Sequence, residues 1–434
     1  MSALERDAVR SFSEDYHTTE AAEEGARRCF RFLLLTAFLQ GIACNLLQPF
    51  MHTQAEPLGK AEVLLSDGLH GLYLLVVVLV TPFAGKLAEK QFRFRKIFRM
   101  ALFFEGLCCI AYEFCRPMKI HVVLSMLRVF QSFGAGIVLP YYVSIPRLQR
   151  EDTASWATPV IGSMFVFGMA VWKNIGAQWY MSGFCPLPFA TVGGALVLAA
   201  CLSVRNLPSI RHKRFLQSDA TCRVIGDVRI FTDLIIAGYA CIASVYSQGV
   251  LGYALRKHGI PLPKVNRILV LLGPANVITA AIVGPVGKSR HGTTSFLGWL
   301  MAMVGMRLAI SAAKALAKPS LGTIIFSHLM ISFGLGGDAI CSIFHAQNRT
   351  ANNIRSNALG QATVAGFAIA AIALGRLLGI VLYTYLQDTG SYLENPTFRC
   401  FVELPMLLLT GALLVGDYLF GGEELVEKMG YASD

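Results

Sequence analysis

The sequence predicts an all-α membrane protein of twelve transmembrane helices, arranged as two similar six-helix bundles. Three observations lead to this fold class. Of the 434 residues, 54% are hydrophobic and only 15% are charged, whereas a soluble domain carries about 25% charged residues. Apolar windows of about 20 residues, long enough to cross a bilayer, recur along the chain. Glycine positions of the first half also recur at a constant offset in the second half.

The apolar windows define the predicted spans. Runs such as Leu74–Val80 do not alternate polar and apolar residues, as the strands of a membrane β-barrel would, so we expect a helix in every span. In chain order the spans are 31–51, 63–84, 97–115, 119–145, 156–182, 185–204, 230–254, 265–286, 293–313, 320–345, 357–385 and 399–420.

The loops divide the chain into regions. An acidic N-terminal tail lacks the apolar core and cleavage site of a secretory signal, and a basic linker separates the sixth span from the seventh. We therefore expect the following regions: a tail at 1–30, a bundle at 31–204, a linker at 205–229, a second bundle at 230–420 and a tail at 421–434.

The net charge of +11 could indicate nucleic-acid binding, but its distribution favours another explanation. About 24 of the lysines and arginines fall on the N-terminal side of the predicted membrane and about 10 on the other, a bias that sets orientation. We expect both termini in the cytoplasm, the lipid bilayer as a partner and no nucleic acid. The membrane is the plasma membrane or an organelle membrane. The sequon Asn348–Thr350 then lies in a cytoplasmic loop and stays unmodified.

Several classes of function lack their signatures. Most of the 11 cysteines fall inside apolar spans, where a free thiol packs as a small hydrophobe, and no zinc-type spacing is present. Gly287–Ser289 resembles the end of a phosphate-binding loop, but Ile282 stands where that motif requires glycine. No nucleophile and base have catalytic spacing. We expect no cofactor, no metal site and no enzymatic activity.

An internal repeat supports the two bundles. Equivalent positions in the two halves are separated by 199 or 200 residues, in the same order and in equivalent helices. Such repeats are common in membrane transporters. The pairs are Gly85 with Gly284, Gly106 with Gly305, and Phe133–Gly136 with Phe333–Gly336.

A charged turn separates the second span from the third. It contains Gly85, Leu87, Ala88, Glu89, Lys90, Arg93, Arg95 and Lys96. This pattern resembles the signature turn of the major facilitator superfamily, a family of secondary transporters. The resemblance implies alternating access and a conformational latch formed by Gly85, Glu89, Lys90 and Arg93, with Gly284 as the counterpart of Gly85. The alternative is a turn that only sets orientation.

The fourth span carries a second feature of this family, with Arg128, Gln131 and Gly134 at helical spacing. A charge at this depth costs at least about 2.5 kcal/mol, so we expect Arg128 to face a cavity or an acidic partner. The resemblance implies contact with substrate. The alternative is a structural arginine paired with Glu105 or Glu113 of the third span.

The resemblance also implies that spans 1, 4, 7 and 10 line a central cavity. All four carry polar side chains on otherwise apolar segments. The predicted substrate-binding residues are Gln40, Asn45, Gln48, Arg128, Gln131, Tyr239, Tyr246, Gln248 and Ser342. The family's Gly-Pro pattern of exchangers does not follow Gly162, Gly168 and Gly176 in the fifth span, which favours symport over antiport.

Asp338 is a carboxylate within the apolar tenth span, and His345 lies two turns further on the same face. Both have chemistry suited to proton transfer, and we predict that they couple transport to protons. The alternative is a structural role, with Asp338 bonded to a neighbouring helix and His345 capping the span.

The sequence therefore predicts a monomeric secondary transporter for a small polar or anionic organic solute, coupled to protons. Arg128, Lys173 and Arg376 at membrane depth favour an anion. The alternative is a relative with the same fold that acts as a membrane receptor, scaffold or escort protein and transports nothing.

Overall fold

The structure is a computed structural model. It describes residues 3–46, 60–90, 94–118, 120–149, 151–172, 176, 187–207, 228–257, 259–261, 264–265, 268, 322, 325–326, 329 and 359–388. All regular structure in these residues is helical. The all-α class predicted from the sequence is confirmed.

The described helices follow the predicted spans in order. A short 3-10 helix, Arg116–Met118, lies between the third and fourth predicted spans. The helices are α1 (Ala3–Cys44), α2 (Lys60–Lys90), α3 (Phe94–Cys115), α4 (His121–Gln149), α5 (Glu151–Val171), α6 (Pro188–Asn206), α7 (Val228–Lys257) and α8 (Leu359–Asp388), of which α8 is the eleventh predicted span.

Four of the described segments are long and apolar enough to cross a membrane: Gly68–Ala88, Val122–Val143, Pro188–Asn206 and Ala362–Leu382. Their large exposed side chains, among them Leu79, Phe83 and Met126, form the apolar outer surface that a bilayer requires. The predicted spans at 265–286, 293–313, 320–345 and 399–420 lie largely or wholly outside the described residues.

The first and fifth predicted spans differ from the structure at their ends. Helix α1 begins at Ala3, within the predicted tail, and ends at Cys44 rather than at residue 51. Helix α5 ends at Val171, and Trp172 and Gly176 have π-helical geometry. Both ends depend on contacts between helices that are distant in the sequence, as the functional site shows.

In the first half, α1 packs on α4, α5 and α6, while α3 packs on α4 and α6. Glycine permits the closest approaches. A Cβ atom on Gly106 of α3 would lie 2.6 Å from the carbonyl oxygen of Gly193 in α6, and one on Gly193 would lie 2.5 Å from that of Gly106. Gly168 allows a similar approach of α5 to α1, whereas Gly162 has no atom within 4 Å of its Cβ position.

Helix α8 joins the second half of the chain to the first, because it packs on α2 and α4 as well as on α7. A Cβ atom on Gly85 would clash with the carbonyl oxygen of Ala362, and one on Gly366 would clash with that of Thr81. Small residues let membrane helices approach this closely. The two halves therefore meet along a backbone-to-backbone contact between α2 and α8.

Candidate functional site

Helix α1 ends inside the bundle. At 1.5 Å per residue it rises about 20 Å between Arg31, whose side chain is exposed, and Cys44, whereas the hydrocarbon core is about 30 Å thick. Asn45 and Leu46 continue as a turn, and both are buried. Backbone groups at this depth need partners within the protein. Those partners come from α4 and α5.

Arg128 of α4 supplies the first set of partners. Its guanidinium donates to the carbonyl oxygens of Cys44 at 2.8 Å and Ala43 at 3.3 Å, and it also donates to the Gln131 side chain. Gln131 in turn donates to the Ala43 carbonyl at 3.2 Å. The ring of Tyr73 on α2 lies 4.2 Å from the guanidinium carbon, within cation–π range. Arg128 is completely buried and caps the end of α1.

Helix α5 supplies the second set of partners. The Asn45 amide donates to the Met169 carbonyl at 3.2 Å, and the Trp172 indole donates to the Leu46 carbonyl at 3.2 Å. Met169 lies in the last turn of α5, and its backbone carbonyl accepts this bond from the turn that follows α1. Each irregular backbone segment is therefore bonded to the other, and the ends of α1 and α5 form one polar region within the bundle.

Arg376 of α8 brings a second cation to this region. Its guanidinium contacts the sulfur of Met169. Arg376 and Arg128 both lie close enough to Cys44 to act on it electrostatically. Among the described residues, no carboxylate forms an ion pair with Arg376. A thioether is a weak acceptor, and a guanidinium has five N–H donors. Most of the hydrogen-bonding capacity of Arg376 is therefore unused within the described part of the chain.

Glu105 of α3 lies on the other side of α1. The Gln40 amide nitrogen is 2.8 Å from both of its carboxylate oxygens, and both side chains are fully buried. Among the described residues, no group donates a hydrogen bond to the Oε1 atom of Gln40. Gly134 allows this approach, since a Cβ atom there would lie 2.9 Å from the Glu105 Cβ atom. A carboxylate therefore faces the interior of the first bundle.

The structure does not show the predicted alternative in which Arg128 forms an ion pair with Glu105 or Glu113. Glu105 bonds to Gln40 instead. Glu113 pairs with Arg116 at 3.1 Å and accepts a bond of 2.8 Å from the backbone N–H of Phe189, at the start of α6. Arg128 is thus held by carbonyl groups and a neutral amide rather than by a carboxylate.

Four of the predicted substrate-binding residues, namely Gln40, Asn45, Arg128 and Gln131, belong to this hydrogen-bonded region around the end of α1. Tyr239 lies on α7 and is partly buried. The side chains of Tyr246 and Gln248, and all of Gln48, Ser342, Asp338 and His345, lie outside the described residues. The substrate and proton-coupling roles of these residues therefore stay predictions.

The predicted latch is described in part. Gly85 contacts α8 as closely as a glycine can, next to Ala362 and Gly366. The side chains of Glu89 and Lys90, together with Arg93 and Gly284, lie outside the described residues. Close packing at Gly85 agrees with a position at the junction of the halves, and the charge latch itself stays a prediction.

Three features of the site were not predicted from the sequence: the contacts of Tyr73 and Trp172, and the hydrogen bond between Gln40 and Glu105. Tyr73 and Trp172 are aromatic residues in aromatic-rich spans, and nothing in their spacing separates them from residues that face lipid. The Gln40–Glu105 bond was also missed, although an acid within an apolar span was a usable signal. Within the described residues, no group of three or more histidine, cysteine, aspartate or glutamate side chains could hold a metal ion.

The protein resembles several solved transporters in structure. One is a bacterial homologue of the iron transporter ferroportin in an outward-facing state, with a TM-score of 0.68, 14% identity, and coverage of 89% of this chain and 98% of that chain. Another is the transporter FucP in an outward conformation, with a TM-score of 0.64, 14% identity, and coverage of 89% and 97%.

A third is the proton:xylose symporter XylE, with a TM-score of 0.63, 10% identity, and coverage of 92% of this chain and 96% of that chain. No protein-family model matches the sequence, and no curated protein matches it. Likeness at such low identity concerns the fold, and it extends over most of the chain. The protein is a helical membrane protein with the fold of the major facilitator superfamily.

Proposed function

We propose that the protein is a secondary transporter that moves a small organic anion across a membrane by alternating access. The proposal that the substrate is an anion rests on one observation. Arg376 lies at membrane depth, it acts on Cys44 together with the fully buried Arg128, and no carboxylate of the described residues pairs with it. The neutral polar solutes that the sequence also allows would leave this charge uncompensated.

The energetics favour a ligand with negative charge. A charged side chain within the membrane costs at least about 2.5 kcal/mol, and such residues usually mark a substrate or ion pathway. The guanidinium of Arg128 donates its hydrogen bonds to the end of α1. Its contribution to ligand binding would therefore be mainly its positive charge, which attracts an anion. Within the described part of the chain, Arg376 has donors without a partner, and a guanidinium can hold a carboxylate or phosphate by two parallel hydrogen bonds.

The position of Arg376 also suits a transport cycle. It belongs to α8 in the second half, whereas its partner Met169 and its neighbour Cys44 belong to the first half. An anion bound at Arg376 would contact both halves when they are close together. A ligand shifts a conformational equilibrium only through its different affinity for the two states, and a site shared by both halves provides that difference.

Ligand binding is the first test. The purified full-length protein is heated with lactate, succinate, glutamate, glycerol 3-phosphate or the neutral sugar xylose, because a ligand of the folded state raises the apparent stability. We expect at least one of the acids to stabilise the protein and xylose to have no effect. Stabilisation by xylose alone would overturn the anionic substrate. Stabilisation by none of the solutes would favour a receptor or scaffold.

Transport is tested in proteoliposomes by counterflow of the acid that stabilises the protein best. Charge-assisted hydrogen bonds contribute about 1.5–3 kcal/mol, so Arg376→Gln should weaken binding roughly tenfold to a hundredfold. Arg376→Lys, which keeps the charge, should weaken it less. Arg205→Gln is the control, because Arg205 is exposed in the last turn of α6. Equal affinity of wild type and Arg376→Gln would remove Arg376 from the site.

A further inference from the structure

Glu105 lies outside the predicted coupling pair, Asp338 and His345, and has an unusual environment for a carboxylate. It is completely buried in α3. Its hydrogen-bond partner within the described residues is the neutral amide of Gln40, at 2.8 Å from both oxygens. No lysine or arginine of those residues forms an ion pair with it.

We propose that Glu105 takes up and releases the proton that accompanies the anion through the transport cycle, and that Gln40 responds to its protonation state. This inference rests on the proposed function, because it assigns a coupling group to the same site. The carboxylate gains a proton when the site is open to one side and gives that proton to water on the other side.

The hydrogen bonds of Gln40 supply the first argument. With the carboxylate ionised, the Gln40 amide nitrogen donates to both Glu105 oxygens, and the buried Oε1 of Gln40 has no donor within the described part of the chain. A buried acceptor without a donor is unfavourable, because it has lost its hydrogen bonds to water. A proton on Glu105 provides a donor, which Oε1 can accept after rotation of the amide. The pair therefore has one arrangement for each charge state.

Charge supplies the second argument. An ionised carboxylate that is buried without a counter-ion carries a desolvation penalty of several kcal/mol. Binding a proton removes this penalty, and release to water restores the charge where water can solvate it. A carboxylate that had only a structural role would be expected to have an ion pair, as Glu113 has with Arg116 on the same helix.

The titratable and polar groups near Glu105 come from four helices. Among the described residues, Arg128 of α4 is the basic group that acts on Glu105. Cys44 and Gln40 face Glu105 from α1, and Tyr73 faces it from α2. The other nearby groups are Cys108 and Cys109 of α3 and Tyr142 of α4. On α6, Gly193 packs against Gly106 and brings no charge. Among the described residues, Glu105 is therefore the acid whose protonation can change the charge of this region.

The link to the anion follows from the same charges. Arg128 acts electrostatically on both Glu105 and Cys44, and Arg376 acts on Cys44. An ionised Glu105 offsets part of their positive potential, and a protonated Glu105 does not. Proton binding should thus strengthen anion binding, and by reciprocity the anion should strengthen proton binding. Such coupling is what a symporter requires.

The test compares Glu105→Gln with Glu113→Gln, which changes a second buried glutamate of α3. Binding of the acid found by thermal shift is measured against pH. One linked proton should weaken wild-type binding by about tenfold per pH unit as the pH rises through the titration of Glu105. We expect the same slope in Glu113→Gln. In Glu105→Gln the affinity should be independent of pH, while counterflow is retained and uphill uptake is lost.

Infrared difference spectroscopy of the reconstituted full-length protein provides a readout that needs no substrate. Wild type should show a carboxyl C=O stretch that appears with acid. The band should be absent in Glu105→Gln, shifted in Glu105→Asp and unchanged in Glu113→Gln. If wild type binds an acid but Glu105→Gln keeps the wild-type pH slope or this band, the inference is wrong and the proposed function stands. If no acid binds to wild type, the proposed function itself fails.

Discussion

The guanidinium of Arg128 in α4 donates a hydrogen bond of 2.8 Å to the carbonyl of Cys44, the last residue of α1. A helix leaves its final carbonyl groups without partners, and a cation at this end also interacts favourably with the helix dipole. Arg128 provides both the donors and the charge. Arg128, for which the family resemblance implies contact with substrate, therefore stabilises the end of α1 within the membrane.

Arg128→Met should destabilise the protein even without substrate. The Cys44 carbonyl would lose its side-chain donor, and an unpaired buried group costs roughly 1–3 kcal/mol. Arg128→Lys should lose less, because one ammonium can still reach one carbonyl. Thermal unfolding of the purified protein measures both. The control is Arg205→Met on the exposed face of α6. If Arg128→Met were as stable as this control, the cap would not contribute to stability.

The sequence placed Arg128 and Gln131 on one helix face, because residues three apart lie on the same side of a helix, and the structure shows the two side chains hydrogen-bonded. The end of α1 could not be predicted in this way. The apolar window continues beyond Cys44, and the helix stops where partners from α4 and α5 meet its carbonyls. These partners are 84 and 126 residues away in the sequence.

Glu105 shows a second limit of the sequence. Opposite charges on neighbouring spans suggested an ion pair with Arg128, since a charge in the membrane needs a partner. Which charges meet depends on the rotation of each helix about its axis. Close packing sets that rotation here, because Gly134 of α4 faces Glu105 and Arg128 points toward the end of α1. The hydropathy pattern of a span does not fix the rotation of the helix about its axis accurately enough to predict which charged side chains meet.

Gly193→Ala should destabilise the protein, whereas the neighbouring change Gly194→Ala should not. A Cβ atom at Gly193 would lie 2.5 Å from the Gly106 carbonyl oxygen, whereas one at Gly194 would have no atom within 4 Å. Separating α3 from α6 should destabilise Gly193→Ala by about 1–3 kcal/mol. Gly194→Ala should be neutral or stabilising, because alanine favours helix by up to about 1 kcal/mol over glycine. Thermal unfolding of the two variants tests the contact; equal effects would contradict it.

The predicted topology is tested by glycosylation. With both termini in the cytoplasm, the sequon at Asn348 lies on the cytoplasmic side and should remain unmodified when the protein is made in mammalian cells. The control is Thr389→Asn, which completes a sequon with Ser391 in the predicted loop between the eleventh and twelfth spans. Glycosidase digestion should shift the mobility of the control only. A mobility shift of the wild-type protein would show that the predicted orientation is inverted.

Gly85→Val should alter the balance between transport states. The new side chain would clash with the Ala362 carbonyl across the contact of α2 with α8, so the state in which these helices touch should lose stability. A change of 1.4 kcal/mol shifts the ratio of two states about tenfold. Distances between spin labels on the ends of α2 and α8 should increase in the variant, and the counterflow rate should fall. Gly162→Val is the control, since Gly162 has no neighbour within 4 Å. If Gly85→Val kept the wild-type distance distribution, this contact would not separate during transport.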